Sequence, residues 1–215
     1  MVADFLRIMQ QNIFQTFIAS SLGKVKRLDV IWDRYLANSL KQSTREKGMH
    51  LGTAQRQRVL SYSPILSNWE SFLRIEENKD ELFRYLSESM KDYNTNEKVL
   101  VSTYGESVIT AGQHILTDME SLQPCTHEEA DTRILLHIAH CAQQGYKRIS
   151  IQTVDTDVVV LAVGHFQSLN VEETWINFGF GKHYRNIAAH TILRFLNERA
   201  KALIMFHALT GCDSV

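Results

Sequence analysis

The clearest periodic pattern of apolar and polar residues lies between residues 127 and 163. Apolar residues recur at helical spacing after Asp131, and a turn at Gly145 separates that helix from the alternating segment RISIQT, which predicts a strand. The segment VVVLAVGHF that follows is apolar throughout and fits either a buried helix or a strand. With the strand predicted before the acidic helix, the order is strand, acidic loop, helix, strand and acidic loop, which has βαβ character and predicts a right-handed crossover.

The rest of the chain alternates between helix and strand patterns. The predicted helices are residues 3–22, the segments SNWESFL and NKDELFRYLSESMKDY, and residues 188–200. The predicted strands are residues 27–32, the segments EKVLVSTY and SVITAG, and a hairpin of TWINFGF and KHYRNI around Gly181. Asn78 fits the N-cap position of its helix, because Glu81 follows three residues later. These elements predict an α/β fold whose mainly parallel, twisted sheet is flanked by helices.

Composition places the chain among ordinary folded proteins, with 215 residues, 44% hydrophobic residues and a formal net charge of −1. Binding to a polyanion therefore requires a local basic patch rather than the overall charge. No apolar run approaches 18 residues, and the three cysteines show no CxxC spacing. We expect no membrane association, reduced thiols and an intracellular location, nuclear or cytoplasmic.

One local basic patch occurs within residues 40–60. Its five cations face a single acid, Glu46, which gives a local charge of 5 − 1 = +4. The cations are Lys41, Arg45, Lys47, Arg56 and Arg58. No apolar stripe is present, so the segment is either an exposed, mobile loop or an arm that contacts phosphates.

Acidic residues follow predicted strands or open predicted helices at several places in the chain. They are Asp33, Glu129, Asp131, Asp155, Asp157 and Asp213. Each alone is explained by helix capping or by solvation. At one edge of a parallel sheet, however, they would crowd like charges that only a cation can neutralise. Oxygen ligands favour Mg²⁺, Mn²⁺ or Ca²⁺ over zinc, and two magnesium ions are a known device for phosphodiester cleavage.

The sequence gives less support to a zinc site or to the motifs of hydrolases and nucleotide-binding proteins. Cysteine and histidine residues gather between residues 125 and 141 but match no zinc-finger spacing, and His137 and His140 fit a helix three residues apart, as core or surface residues. No G-x-S-x-G elbow, Walker motif or dinucleotide-binding glycine pattern is present. Trp32, Tyr35 and Trp69 could stack on bases, but core packing also explains them.

The acidic motifs resemble the flap endonuclease branch of the PIN-like nucleases. The motifs are VIWD ending at Asp33, EAD at 129–131, DTD at 155–157 and GCDS containing Asp213. The resemblance implies a single PIN-like domain over residues 1–215, with these six acids as catalytic ligands of two Mg²⁺ or Mn²⁺ ions. It implies that residues 40–60 form an arch in which Lys41, Arg45 and Lys47 bind nucleic acid. The expected reaction is hydrolysis of phosphodiester bonds at structured or single-stranded DNA or RNA ends, including flaps.

The chain also departs from that family in three places. The family has an acid on a strand before the first helix and a helix–turn–helix after G-x-D, and this chain has neither; Arg34 stands where the family usually has glycine. We therefore expect a domain that is incomplete at both ends and weak or inactive as it stands, although the full-length protein would be an enzyme. The alternative is a catalytically inactive PIN-like scaffold that binds nucleic acid or protein.

Overall fold

The computed structural model describes residues 13–36, 56–59, 68–112 and 118–210. The chain divides into two compact units, residues 1–130 and 131–215. Most of the basic segment, residues 40–55 and 60, lies outside the described residues, and so does Asp213. Within the described ranges no helix has the length and apolar character that a membrane crossing requires.

The first unit contains three described helices and a mixed three-stranded sheet. The helices are α1 (Gln15–Leu22), α2 (Trp69–Leu73) and α3 (Glu76–Glu88). The strands are β1 (Arg27–Val30), β2 (Val99–Tyr104) and β3 (Ser107–Ala111). Strand β2 is central, since it pairs parallel with β1 and antiparallel with β3. The sequence predicted each of these elements, with α1 ending at Gly23 as expected.

Aromatic residues fill the core of the first unit between α3 and the segment that follows β1. Trp32 stacks on Phe83 with ring centroids 4.5 Å apart, and its Nε1 donates to Ser87 Oγ at 2.9 Å. Trp69 stacks on Phe72, and both belong to the same apolar cluster as Leu82. The interpretation of these tryptophans as core residues is therefore confirmed.

The prediction that Asn78 caps α3 is wrong. The helix begins at Glu76, and Asn78 is a completely buried residue in its first turn. Its Oδ1 accepts from Gln57 N and Arg56 Nη1, both at 3.0 Å, and its Nδ2 donates to Phe72 O at 3.1 Å. These tertiary hydrogen bonds take up the side chain, so it is not available to cap the helix.

The described end of the basic segment, residues 56–59, is fixed to the same helix. Glu81 Oε2 accepts from Val59 N at 2.9 Å, and its Oε1 pairs with Arg56. Burial raises the pKa of the Glu81 carboxyl, but hydrogen bonds from Arg56 and Val59, with the nearby charge of Arg58, lower this pKa below its ordinary value. These contacts anchor residues 56–59 to α3, while Arg56 and Arg58 stay exposed to solvent.

The second unit has the same strand layout. Its helices are α4 (Ala130–Gln143, which begins at the unit boundary), α5 (Thr156–His165), α6 (Ala189–Leu196) and α7 (Arg199–Thr210). Its strands are β4 (Arg148–Thr153), β5 (Glu173–Phe178) and β6 (Arg185–Ala188). Strand β5 is central, parallel to β4 and antiparallel to β6. The predicted hairpin around Gly181 is thus confirmed, and the ambiguous segment VVVLAVGHF is helical.

One face of this second sheet is covered by helices and the other is polar. Ile151 and Ile176 point into a cluster with Ile138 of α4 and with Val158 and Ala162 of α5. On the opposite face the alternate positions of β4 and β5 are mostly exposed, at Ser150, Gln152, Trp175 and Asn177. The α/β class is therefore confirmed, with the described strands forming two three-stranded mixed sheets.

Candidate functional site

The two aspartates of the DTD motif lie where β4 ends and α5 begins. Asp155 is the N-cap of α5: its Oδ1 accepts from Asp157 N at 2.8 Å, and its own N–H donates to Thr153 Oγ1 at 3.0 Å. Asp155 is exposed and Asp157 is half-buried. Capping therefore fixes the position of the first carboxylate while leaving its second oxygen open to solvent or to a ligand.

A histidine 50 positions later in the chain forms a hydrogen bond with the Asp157 carboxylate. His207 Nε2 lies 2.8 Å from Asp157 Oδ1, and the two side chains keep 25% and 27% of their surface exposed. Since a carboxylate accepts, Nε2 carries the hydrogen. The second oxygen of Asp157, Oδ2, remains as a further acceptor.

Close packing of α7 on α5 brings the histidine to this position. Gly164 of α5 leaves the space that Ile204 fills, since a Cβ on Gly164 would lie 2.6 Å from two carbons of Ile204. Leu203 packs against the core cluster that includes Ala162. His207 follows Ile204 by three residues and therefore faces the same side of α7.

The chain path places Asp131 at the same end of the second unit. Helix α4 has 14 residues, about 21 Å, and β4 has 6 residues, about 20 Å. A short turn joins them, and both pack into one core cluster, so α4 runs back along β4. The start of α4, with the half-buried Asp131, thus lies at the end of the unit where β4 finishes.

In the first unit, Asp33 lies against the backbone that directly follows Glu129. Asp33 Oδ1 accepts from the N–H of Ala130 at 2.8 Å, directly after Glu129 in the chain. Arg34 fixes this approach: its N–H donates to Glu128 O at 2.7 Å, and its guanidinium contacts Cys125 O and Glu106. Arg34 therefore anchors the segment that carries Asp33.

The remaining predicted site residues fall elsewhere. Asp213 and the nucleic-acid-binding candidates Lys41, Arg45 and Lys47 lie outside the described residues. His137 and His140 are buried in α4, at 2% and 1% exposure, in agreement with a core interpretation. In the part of the chain that the structure describes, no three or more His, Cys, Asp or Glu residues are grouped to hold a metal ion.

Asp155 and Asp157 offer the type of ligand atom that a magnesium or manganese ion prefers. Both supply carboxylate oxygens, and each is oriented by one hydrogen bond while a second oxygen remains. Mg²⁺ is reluctant to lose its waters and is commonly bound through only one or two protein carboxylates. Two carboxylates therefore match the protein ligands that a partly hydrated ion commonly takes.

A basic and aromatic hairpin lies beside these aspartates. Because β4 and β5 are parallel, the turn after β5 lies at the same sheet edge, where Gly179 N donates to Thr153 O at 2.9 Å. Phe180 in this turn is 66% exposed, and Lys182 and Arg185 are also exposed. The Tyr184 hydroxyl donates to Asn177 Oδ1 at 2.8 Å. No acidic residue occurs between positions 173 and 198, so the charged residues of the turn and of β6 are all cationic.

Sequence reasoning missed His207 and this hairpin surface. A signal for the former was present, since Ala200, Leu203, Ile204 and His207 share one side of a helix, and His207 is the polar member. The resemblance to the flap endonuclease branch stays a prediction carried by the order of the acidic motifs. Comparisons of the chain with protein-family models, curated proteins and solved structures found no match.

Proposed function

We propose that this chain is a PIN-like, metal-dependent nuclease domain that acts inside the cell on structured or single-stranded nucleic-acid ends. The observation that carries the proposal is the pair Asp155 and Asp157 at the carboxyl end of β4. Ligand sites of α/β sheets lie at this edge, and both carboxylates keep an oxygen for a cation. Asp131, at the same end of the unit, adds a third acid to that region.

The protein's own groups have distinct tasks in this proposal. Asp155 and Asp157 hold Mg²⁺ or Mn²⁺, while Asp33, Glu129, Asp131 and Asp213 are assigned as further ligands by the motif resemblance alone. When bound, the ions activate water and stabilise the leaving oxygen in phosphodiester hydrolysis. The hydrogen bonds from Asp157 N and His207 keep the two carboxylates in fixed orientations before an ion arrives.

The β5–β6 hairpin supports nucleic acid as the partner. Lys182 and Arg185 attract phosphates, and Phe180 offers an exposed ring on which a base can stack. Its position beside Asp155 would bring a bound strand to the acidic pair. Lys41, Arg45 and Lys47 remain further candidates for phosphate contacts.

A thermal-shift titration with Mn²⁺ tests the metal site. Binding to the folded state raises the melting temperature with metal concentration. Asp155→Asn should abolish much of this rise without destabilising the metal-free protein, because asparagine caps a helix as well as aspartate does. Asp92→Asn, on the exposed turn after α3, is the matched control and should keep the full rise. A wild-type protein that gains no stability from Mn²⁺ would refute the metal site.

Cleavage assays separate the enzyme from the inactive scaffold. With Mn²⁺ and a labelled 5′-flapped or single-stranded substrate, the enzyme predicts products that disappear in Asp155→Asn and Asp157→Asn. Metal binding and strand binding without cleavage would favour the scaffold.

The salt dependence of binding tests the hairpin. Each single-strand phosphate contact contributes about 0.7 to the slope of log K against log salt. The double variant Lys182→Gln/Arg185→Gln should therefore lower this slope by about 1.4. The control Lys147→Gln/Arg148→Gln removes the same charge at the amino end of β4 and should leave the slope nearly unchanged. Equal effects of both pairs would show that only overall charge matters.

A further inference from the structure

We infer that His207 is a positioning residue that orients Asp157 for metal binding. The 2.8 Å hydrogen bond from Nε2 to Asp157 Oδ1 joins residues 50 positions apart, on two different helices. The motif resemblance assigns no role to this histidine. Its role rests on the proposed function, in which Asp157 is a metal ligand.

The surroundings of the pair favour orientation over a purely structural link. His207 and Asp157 are both partly exposed, so the hydrogen bond lies at the surface where an ion can reach the carboxylate. The apolar contacts of α7 with the core, through Ala200, Leu203 and Ile204, lie further back on the helix. Apolar packing therefore holds α7 in place, and His207 fixes the orientation of the Asp157 carboxylate.

Whether His207 strengthens or weakens metal binding depends on how many acceptor sites it leaves open on Asp157. A carboxylate has about four acceptor sites, so one bond to His207 leaves Oδ2 and a site on Oδ1 available. Metal-bound carboxylates are commonly held by such hydrogen bonds, and loss of the partner weakens metal binding about 10- to 100-fold. His207 should therefore strengthen metal binding, and not compete with the ion.

Mn²⁺ binding to the full chain, measured from the electron paramagnetic resonance signal of free Mn²⁺, tests this role. His207→Leu should raise the Kd about 10- to 100-fold. His207→Gln, which can present an amide N–H near the position of Nε2, should restore the Kd to within about threefold of wild type. A Leu203→Ala variant on the same helix controls for stability: it should lower the melting temperature and leave the Kd unchanged.

The outcomes distinguish this role from the proposed function. A wild-type chain that binds no Mn²⁺ overturns the metal site and the histidine's role together. Wild-type binding with an unchanged Kd in His207→Leu overturns the positioning role alone, and so does tighter binding, which would mean that the histidine blocks the site. If Leu203→Ala weakens Mn²⁺ binding as much as His207→Leu, the histidine's effect is a consequence of lost stability.

Discussion

Replacing Gly164 by alanine tests the packing that delivers His207 to Asp157. The new Cβ would lie 2.6 Å from Cδ1 and Cγ1 of Ile204, whereas ordinary carbon contacts are about 3.5–4.0 Å. Ile204 must therefore withdraw by about 1 Å. If α7 moves with it, the 2.8 Å hydrogen bond between His207 and Asp157 stretches to nearly 4 Å and is lost.

Two opposing terms set the change in the free energy of unfolding. Overpacking of a well-filled contact costs about 1–3 kcal/mol. Alanine in place of glycine within a helix offsets about 0.5–1 kcal/mol of this cost. We expect Gly164→Ala to destabilise the protein by roughly 0.5–2 kcal/mol and to weaken Mn²⁺ binding as His207→Leu does.

A double-mutant cycle with Ile204→Ala gives a sharper test. That change removes both carbons that the new Cβ would meet, so Gly164→Ala in this background should be neutral or stabilising by up to about 1 kcal/mol. Urea unfolding of the four proteins measures the coupling. If Gly164→Ala stabilises the wild-type background as well, Ile204 yields freely and the close contact does not hold α7 in place.

Two further predictions concern the anchor of residues 56–59. Asn78→Ala leaves Phe72 O and Gln57 N without their side-chain partner and should lower the free energy of unfolding by about 1–3 kcal/mol; a loss below about 0.5 kcal/mol in urea unfolding would contradict this. The folded-state pKa of Glu81 is lowered, so its stabilisation is present above the unfolded pKa of about 4.3 and is lost as pH falls through the folded pKa. The difference in unfolding free energy between wild type and Glu81→Gln should be constant near neutral pH and should shrink in acid. Unfolding curves at several pH values measure this difference. Arg56→Gln should reduce the pH dependence.

The elements of the second unit were predictable because their signals are local. The alternation in RISIQT faces Ile151 into the core and Ser150 to solvent, as a half-buried strand requires. The helix or strand ambiguity of VVVLAVGHF was decided by Asp155, whose side chain caps the segment and begins a helix. The break between α6 and α7 was not predicted, since Asn197 adopts a positive φ of 52° within a run of good helix formers.

Long-range contacts explain what the sequence could not provide. Asn78 satisfied a local capping pattern, yet residues some 20 positions earlier in the chain hold its side chain. The hydrogen bond of His207 depends on a helix pair whose spacing is set by Gly164 and Ile204, and no local pattern encodes that spacing. The division into two three-stranded sheets likewise depends on which strands pair, and apolar alternation alone does not specify this.

Capping and metal binding are compatible uses of the same acids. Within the first unit, Asp33 accepts a hydrogen bond from the N–H of Ala130, and Asp155 accepts one from the N–H of Asp157 in the first turn of α5. Each of these hydrogen bonds takes one of about four acceptor sites on the carboxylate and fixes its rotamer. A capping hydrogen bond is therefore no evidence against metal binding by the same carboxylate. Because the hydrogen bond already fixes the side chain, less conformational entropy is lost when the ion binds. The two roles differ in what they require: a cap needs an acceptor oxygen, which asparagine also supplies, whereas a cation needs the negative charge.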